Sequence, residues 1–212
     1  MSRSRSRRRG NQPPRGSKAS EHLYALMEHG VDLSRGILYL GADSEDPEIE
    51  LTSRVAESVT RRILLLDGHH EWITIYMNNM GGDDIHGMAI YDALTTCTSK
   101  VRIIVMGHCH SIAALILQAA EDRVLAPHSE ILIHDGEVSY SGSRKSARAH
   151  MEHDRQHTNR LNMILLRRIQ ERWPEYTLAK LERALEADIP MTAQEAVDTG
   201  LADRILTTRR GD

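Results

Sequence analysis

The 212-residue chain contains only two cysteines, Cys97 and Cys109, which is too few for a disulfide framework and fits a reducing compartment. No apolar run reaches membrane-spanning length, and the start of the chain lacks the apolar stretch of a secretory signal, so a cytoplasmic protein with no membrane partner is expected. No Gly-x-x-x-x-Gly-Lys-Ser/Thr phosphate loop occurs, which leaves any use of ATP to another protein. An excess of one charge is missing as well. Lys and Arg number 27 against 30 Asp and Glu, a formal net charge of -3, so no global field points to a polyanionic partner.

What the sequence does have begins with one break in composition. Residues 1–20 carry Arg3, Arg5, Arg7, Arg8 and Arg9 among serine, glycine and proline, with almost nothing apolar to bury, and are expected to be a disordered basic tail. That tail is the single segment with the charge to bind nucleic acid, which is otherwise not expected. Residues 21–208 read as one domain with ample length for a core, and 209–212 as a short C-terminal tail.

Along the domain, strand and helix signals alternate. Ser20 caps an expected helix at Glu21–His29, ended by Gly30, and a strand follows at Gly36–Gly41. Asp46-Pro47-Glu48 looks like a helix start, after which Leu51, Val55, Val59 and Ile63 share one face as far as Gly68. A strand at Trp72–Tyr76, a helix at about 84–98, a strand at Val101–Val105, a helix at Ile112–Ala120 and a strand at Ile131–His134 come next. The pattern implies crossover units and a largely parallel sheet. A long, charged helix from about Arg144 to Arg172 has too short an apolar face to fold on its own core alone, so it should lie against a partner or bridge two surfaces. Thr192-Ala193-Gln194-Glu195 opens a capped helix ended by Gly200, and Arg204–Leu206 supplies a closing strand.

Three strand ends carry chemistry-bearing residues. After Tyr76 comes Met77-Asn78-Asn79-Met80-Gly81-Gly82, after Val105 comes Met106-Gly107-His108-Cys109-His110-Ser111, and after Ile133 comes His134. A glycine pair can bring backbone amides close to a reacting atom, and a serine where a helix begins sits among unpaired N–H groups. Taken singly, Ser111 reads as an ordinary helix N-cap and Gly81-Gly82 as an ordinary turn. Together they supply oxyanion donors, a nucleophile and a general base at the carboxyl ends of parallel strands, where α/β sheets gather their ligands. His108-Cys109-His110 invites a metal reading, but successive residues of an extended segment alternate sides, so these three do not converge and no metal is expected.

From about Arg35 to Leu206 the chain resembles the proteolytic subunit of the Clp protease family (ClpP), within the ClpP/crotonase fold. The resemblance is carried, in order, by Asn78-Asn79-Met80-Gly81-Gly82, by Gly107-His108-Cys109-His110-Ser111-Ile112-Ala113, by Ile133-His134, and by Glu186-Ala187-Asp188 ahead of Thr192-Ala193-Gln194-Glu195-Ala196. It implies an α/β fold of repeated β-β-α and βα units with a largely parallel sheet and a protruding handle, at about 137–172. It implies a Ser111, His134 and Asp188 triad, with Glu186 as the alternative acid, and an oxyanion hole from the amides of Gly82 and Ile112. No cofactor is needed. It further implies polypeptide substrates, heptameric rings, an AAA+ unfoldase that feeds them, and Tyr76 at the position that lines the unfoldase-docking pocket.

The chain departs from the family pattern at Met80 and at Asp135-Gly136, where the family has proline and Gln-Pro, and at Ala187, where it has a ring-contact arginine. Three other readings share the fold: a non-catalytic ring subunit, a virus-associated maturation protease and a crotonase-like acyl-CoA enzyme.

Overall fold

A computed structural model of the chain describes residues 30–41, 51–136 and 139–207. Both expected tails, the expected helix at Glu21–His29 and the expected helix start at Asp46-Pro47-Glu48 lie outside the described residues.

The sheet is built outward from β4, Lys100–His110, and its neighbour β3, Trp72–Asn79. Along β3 every second residue is buried, namely Ile73, Ile75, Met77 and Asn79, the period that a strand covered on one face requires. Six strands follow the order β1-β2-β3-β4-β5-β8, where β1 is Val31–Asp32, β2 Ile37–Leu40, β5 Asp122–Leu125 and β8 Arg204–Ile205. All neighbours on this path are parallel except β1 with β2. Two more strands, β6 at Glu130–Leu132 and β7 at Met191–Thr192, hang off the far end of β4. Thus β4 pairs with β5 through Arg102–Val105 and with β6 through His108–His110.

Helix α1, Ser53–Leu66, begins later than the sequence pattern suggests. Its N-cap is Thr52, whose hydroxyl accepts from the Val55 N–H, and Leu51 is not helical but fully buried and bridged to Gly82. The four-residue spacing from Leu51 to Val55 is therefore a coincidence of burial, because Leu51 serves the sheet and Val59 and Ile63 the helix. Helix α2, Asp84–Thr96, is capped by the Asp83 carboxylate, which accepts from the His86 N–H at 3.0 Å. Helix α3, Ile112–Leu117, is shorter than expected and buried at all six residues.

The long helix α4, Arg144–Arg172, has the expected bounds, but its packing is split. Asn162, Leu165, Leu166 and Ile169 are buried, whereas most of residues 144–160 are exposed. The expectation that its apolar face is too short to fold on its own core is thus corrected for the C-terminal half. There the apolar residues recur at three- and four-residue spacing and meet α5, Leu178–Glu186, which buries Leu181 and Leu185. Neither α5 nor β5 is evident from the sequence pattern.

Helix α6, Ala193–Thr199, starts with the expected capping box at Thr192 and Glu195 and ends on Gly200. The following chain is fixed by Arg123, whose buried guanidinium donates to Asp203 at 2.6 and 3.2 Å, to Gln118 Oε1 at 2.7 Å and to the Gly200 carbonyl at 3.0 Å. A buried charge paired with a carboxylate and with four of its five N–H groups hydrogen-bonded is tolerated, and here it holds β8 on the sheet. Among the described residues, no helix is long and apolar enough to cross a membrane.

Candidate active site

Ser111 reaches its position through an irregularity in β4. Met77 pairs with Val105, but the next pair is Asn79 with Cys109, so two residues of β3 span four of β4. The extra residues bulge at Gly107, which has φ +124 and lies so close to Asn78 that a Cβ there would sit 2.6 Å from the Asn78 Oδ1. That oxygen accepts from the His108 N–H at 2.9 Å, replacing the ladder bond that the bulge removes. Beyond the bulge the strand re-pairs with β6, and the pairing runs on past its end, since the Ser111 N–H donates to the Leu132 carbonyl at 2.8 Å.

Ser111 itself has φ 54 and ψ -130, a conformation that side-chain-bearing residues rarely adopt and that costs of the order of 1–3 kcal/mol. It stands at the N-cap position of α3, yet its hydroxyl makes no capping hydrogen bond. The ordinary N-cap role is therefore not what the side chain does. The Asn79-Met80-Gly81-Gly82 turn presses on the serine from β3. The buried Asn79 side chain accepts from the Gly81 N–H at 2.9 Å and donates to the Gly41 carbonyl at 3.2 Å. Gly81 has φ +103, and a Cβ on it would lie 2.7 Å from the Ser111 Cβ. Neither the Gly82 nor the Ile112 N–H donates to any described group, and Ile112, first in its helix, has no partner for it within α3.

His134 lies two residues beyond β6 and lines the same cleft as Ser111. The two side chains are not hydrogen-bonded to each other. The His134 Nδ1 is 3.7 Å from the Asp188 Oδ1, too long for a hydrogen bond but within ion-pair range. Asp188 follows α5 closely, has φ 48, and its side chain is 64% exposed. Glu186, at the end of α5, forms no ion pair with His134. The structure therefore brings Ser111, His134 and Asp188 to one place, and Glu186 is not the acid that meets the histidine.

The cleft contains residues that the sequence did not single out. Thr158 and Asn162 of α4 form one wall, and Asp84, the first residue of α2, lines it as well. Burial pushes the Asp84 carboxyl above its usual range, while His157, 3.6 Å away, acts in the opposite sense. No motif marks these residues, because a helix 50 residues away in sequence delivers two of them. Cys109 points to the opposite face of β4, fully buried with its sulfur 3.5 Å from the Met77 sulfur, and burial raises its thiol far above the range of a reactive cysteine. Tyr76 is half-buried on β3 and stacks on Tyr39 of β2, with ring centroids 5.4 Å apart. Ala187 caps the C-terminus of α5.

Residues 47–209, most of the chain, match the family model described as Clp protease, and the mixed α/β sheet and helices described above accord with the ClpP/crotonase-like fold.

Proposed function

Because the chain belongs to the Clp protease family, we propose that it is a serine endopeptidase of the ClpP type, acting through Ser111, His134 and Asp188. The observation that carries this reading is the Ser111 backbone, held in a strained conformation with its hydroxyl uncapped, beside a histidine whose Nδ1 faces a carboxylate. With Nδ1 turned to Asp188, the Nε2 of His134 is left to take the Ser111 proton as the hydroxyl attacks a peptide carbonyl. Asp188 fixes that tautomer and stabilises the imidazolium. The amides of Gly82 and Ile112 then hold the oxyanion, each typically worth about 3 kcal/mol in the transition state. His134 returns the proton to the leaving amine, and water hydrolyses the acyl-enzyme by the same steps in reverse order. No metal or organic cofactor enters this scheme.

The assembly is proposed on the family's pattern: heptameric rings enclosing the sites, with unfolded polypeptide fed by an AAA+ unfoldase in the cytoplasm. The exposed 144–160 half of α4 supports a contact between subunits, since a polar helix with no covering layer of its own is stabilised by one. The Tyr39–Tyr76 stack offers an aromatic surface for the unfoldase.

A fluorophosphonate serine probe tests the chemistry. The parent chain should be labelled once, on Ser111, and Ser111→Ala should take up no label while keeping its native mass. An assembled parent chain that is never labelled would favour the non-catalytic ring subunit, and turnover of an acyl-CoA in place of a peptide ester would favour the crotonase-like enzyme.

A further inference from the structure

The bulge that aims Ser111 also arranges a second cluster. Residues two apart in a strand point to the same face, so His108 and His110 share one side of β4 while Cys109 faces the core on the other. Glu130 opens β6 directly across from His108 in the parallel register. One ring nitrogen of each histidine and one Glu130 carboxylate oxygen all lie within 4.8 Å of one another. The two imidazoles meet edge to face, with centroids 4.9 Å apart.

His110 is only 6% exposed, and its Nε2 is buried without a hydrogen-bond partner. Buried polar atoms in folded proteins are nearly always paired, and leaving one unpaired costs roughly 1–3 kcal/mol. Something with affinity for an imidazole nitrogen would remove that cost. His108 and Glu130 are both exposed and can turn toward the fixed His110 ring.

We propose that His108, His110 and Glu130 bind a divalent transition-metal ion of the zinc type, through two imidazole nitrogens and one carboxylate oxygen. The donor set selects the ion. Two imidazoles suit zinc, cobalt or nickel, whereas calcium and magnesium require more oxygen ligands than one carboxylate supplies. Tetrahedral coordination with bonds of about 2.0–2.1 Å places ligand atoms about 3.3 Å apart, so the cluster needs to contract by no more than about 1.5 Å. Rotation of the His108 and Glu130 side chains supplies that movement. The fourth position stays open to water. Bound there, the ion cross-links β4 to β6 at the point where the two strands lead to Ser111 and to His134. None of the three ligands belongs to the proposed triad, so the site does not depend on the peptidase reading.

The test uses the full chain stripped with a chelator and titrated with Co²⁺, followed by displacement with Zn²⁺. The expected result is one equivalent bound with the intense visible bands of four-coordinate cobalt, lost when zinc replaces it. Thermal unfolding should shift upward with zinc in the parent chain. His108→Ala and Glu130→Gln alter exposed residues and should fold normally, and each should weaken cobalt binding by about 100-fold or more, since loss of an outer partner alone costs up to that much. His110→Ala should do the same if it folds. Ser111→Ala should bind as the parent does, which separates this site from the catalytic assignment. A chain that binds no cobalt, or one whose cobalt spectrum and affinity survive both His108→Ala and Glu130→Gln, overturns the proposal. The latter result would assign the binding to exposed surface histidines such as His150 and His153, one turn apart on α4.

Discussion

Ser111 and Asp188 are the two non-glycine residues of the described chain with positive φ, and both stand beside His134, but they are held in different ways. Strand pairing, the Gly81 turn and an entirely buried helix surround Ser111, so its strained backbone is over-determined. Asp188 follows a nine-residue helix, with its N–H donating to the Leu185 carbonyl at 3.3 Å and its carboxylate in solvent. Its left-handed conformation is one that aspartate tolerates, and it needs no special support. The proposed nucleophile is thus preorganised by the sheet, whereas the proposed acid is placed by a surface loop, 3.7 Å from the histidine.

The contrast is broken most severely by removing the group between the two. His134→Ala should lower peptide-ester hydrolysis by about a millionfold, the loss typical when the base of such a triad is deleted. A smaller loss, measured by initial rates, would mean that another group activates Ser111. Asp188→Asn should cost at most about 10⁴-fold, because an orienting acid contributes less than the base and this one is exposed. Glu186→Gln should leave the rate near that of the parent, and the reverse ranking of the two acids would move the orienting role to Glu186.

The preorganised side can be probed without touching its chemistry. Gly81→Ala would place a Cβ 2.7 Å from the Ser111 Cβ at a φ of +103. The serine or the turn must then move, and a displacement near 1 Å should cost about 100-fold in probe labelling. Full labelling with intact fold would show that the Gly81 contact does not position the nucleophile.

The smallest effect concerns Asp84. Burial holds its folded carboxyl above the ordinary value of 3.8, against the pull of His157 and His134 and with the help of Asp83 and Asp154. The folded chain therefore binds that proton more readily than the unfolded chain does, and ionisation lowers stability as pH rises from the unfolded value through the raised folded one. Asp84→Asn should raise the melting temperature at pH 7 by no more than about 2 °C and leave it unchanged near pH 3. A rise of the same size at both pH values would attribute the change to something other than the charge.

Much of this site was legible before the fold was known, because its parts lie at the ends of segments whose periodicity marks them as strands. Ile73, Ile75 and Met77 are buried as alternation requires, and they deliver Asn79 and the glycine pair to a strand end. Gly107 and Ser111 stand at a strand-to-helix junction that apolar runs on both sides define. The capping box at Thr192 is local, and the structure forms it as the sequence indicates.

Other features needed the third dimension. Helix α1 looked longer than it is because Leu51 falls in phase with Val55, although its burial comes from the bridge to Gly82. The C-terminal half of α4 looked unpartnered because α5, which covers it, carries no strong signal of its own. His108 and His110 were visible as a pair, but Glu130 joins them only through the register of β4 with β6. Sequence by itself determined the alternation of elements and which residues stand at their ends, since periodicity, capping and turn chemistry act within a few residues. Tertiary structure alone decided which of those ends meet, how far Asp188 stays from His134, and that Asp84, Thr158 and Asn162 share the cleft, because strand register and helix packing are set by burial between segments far apart in the chain.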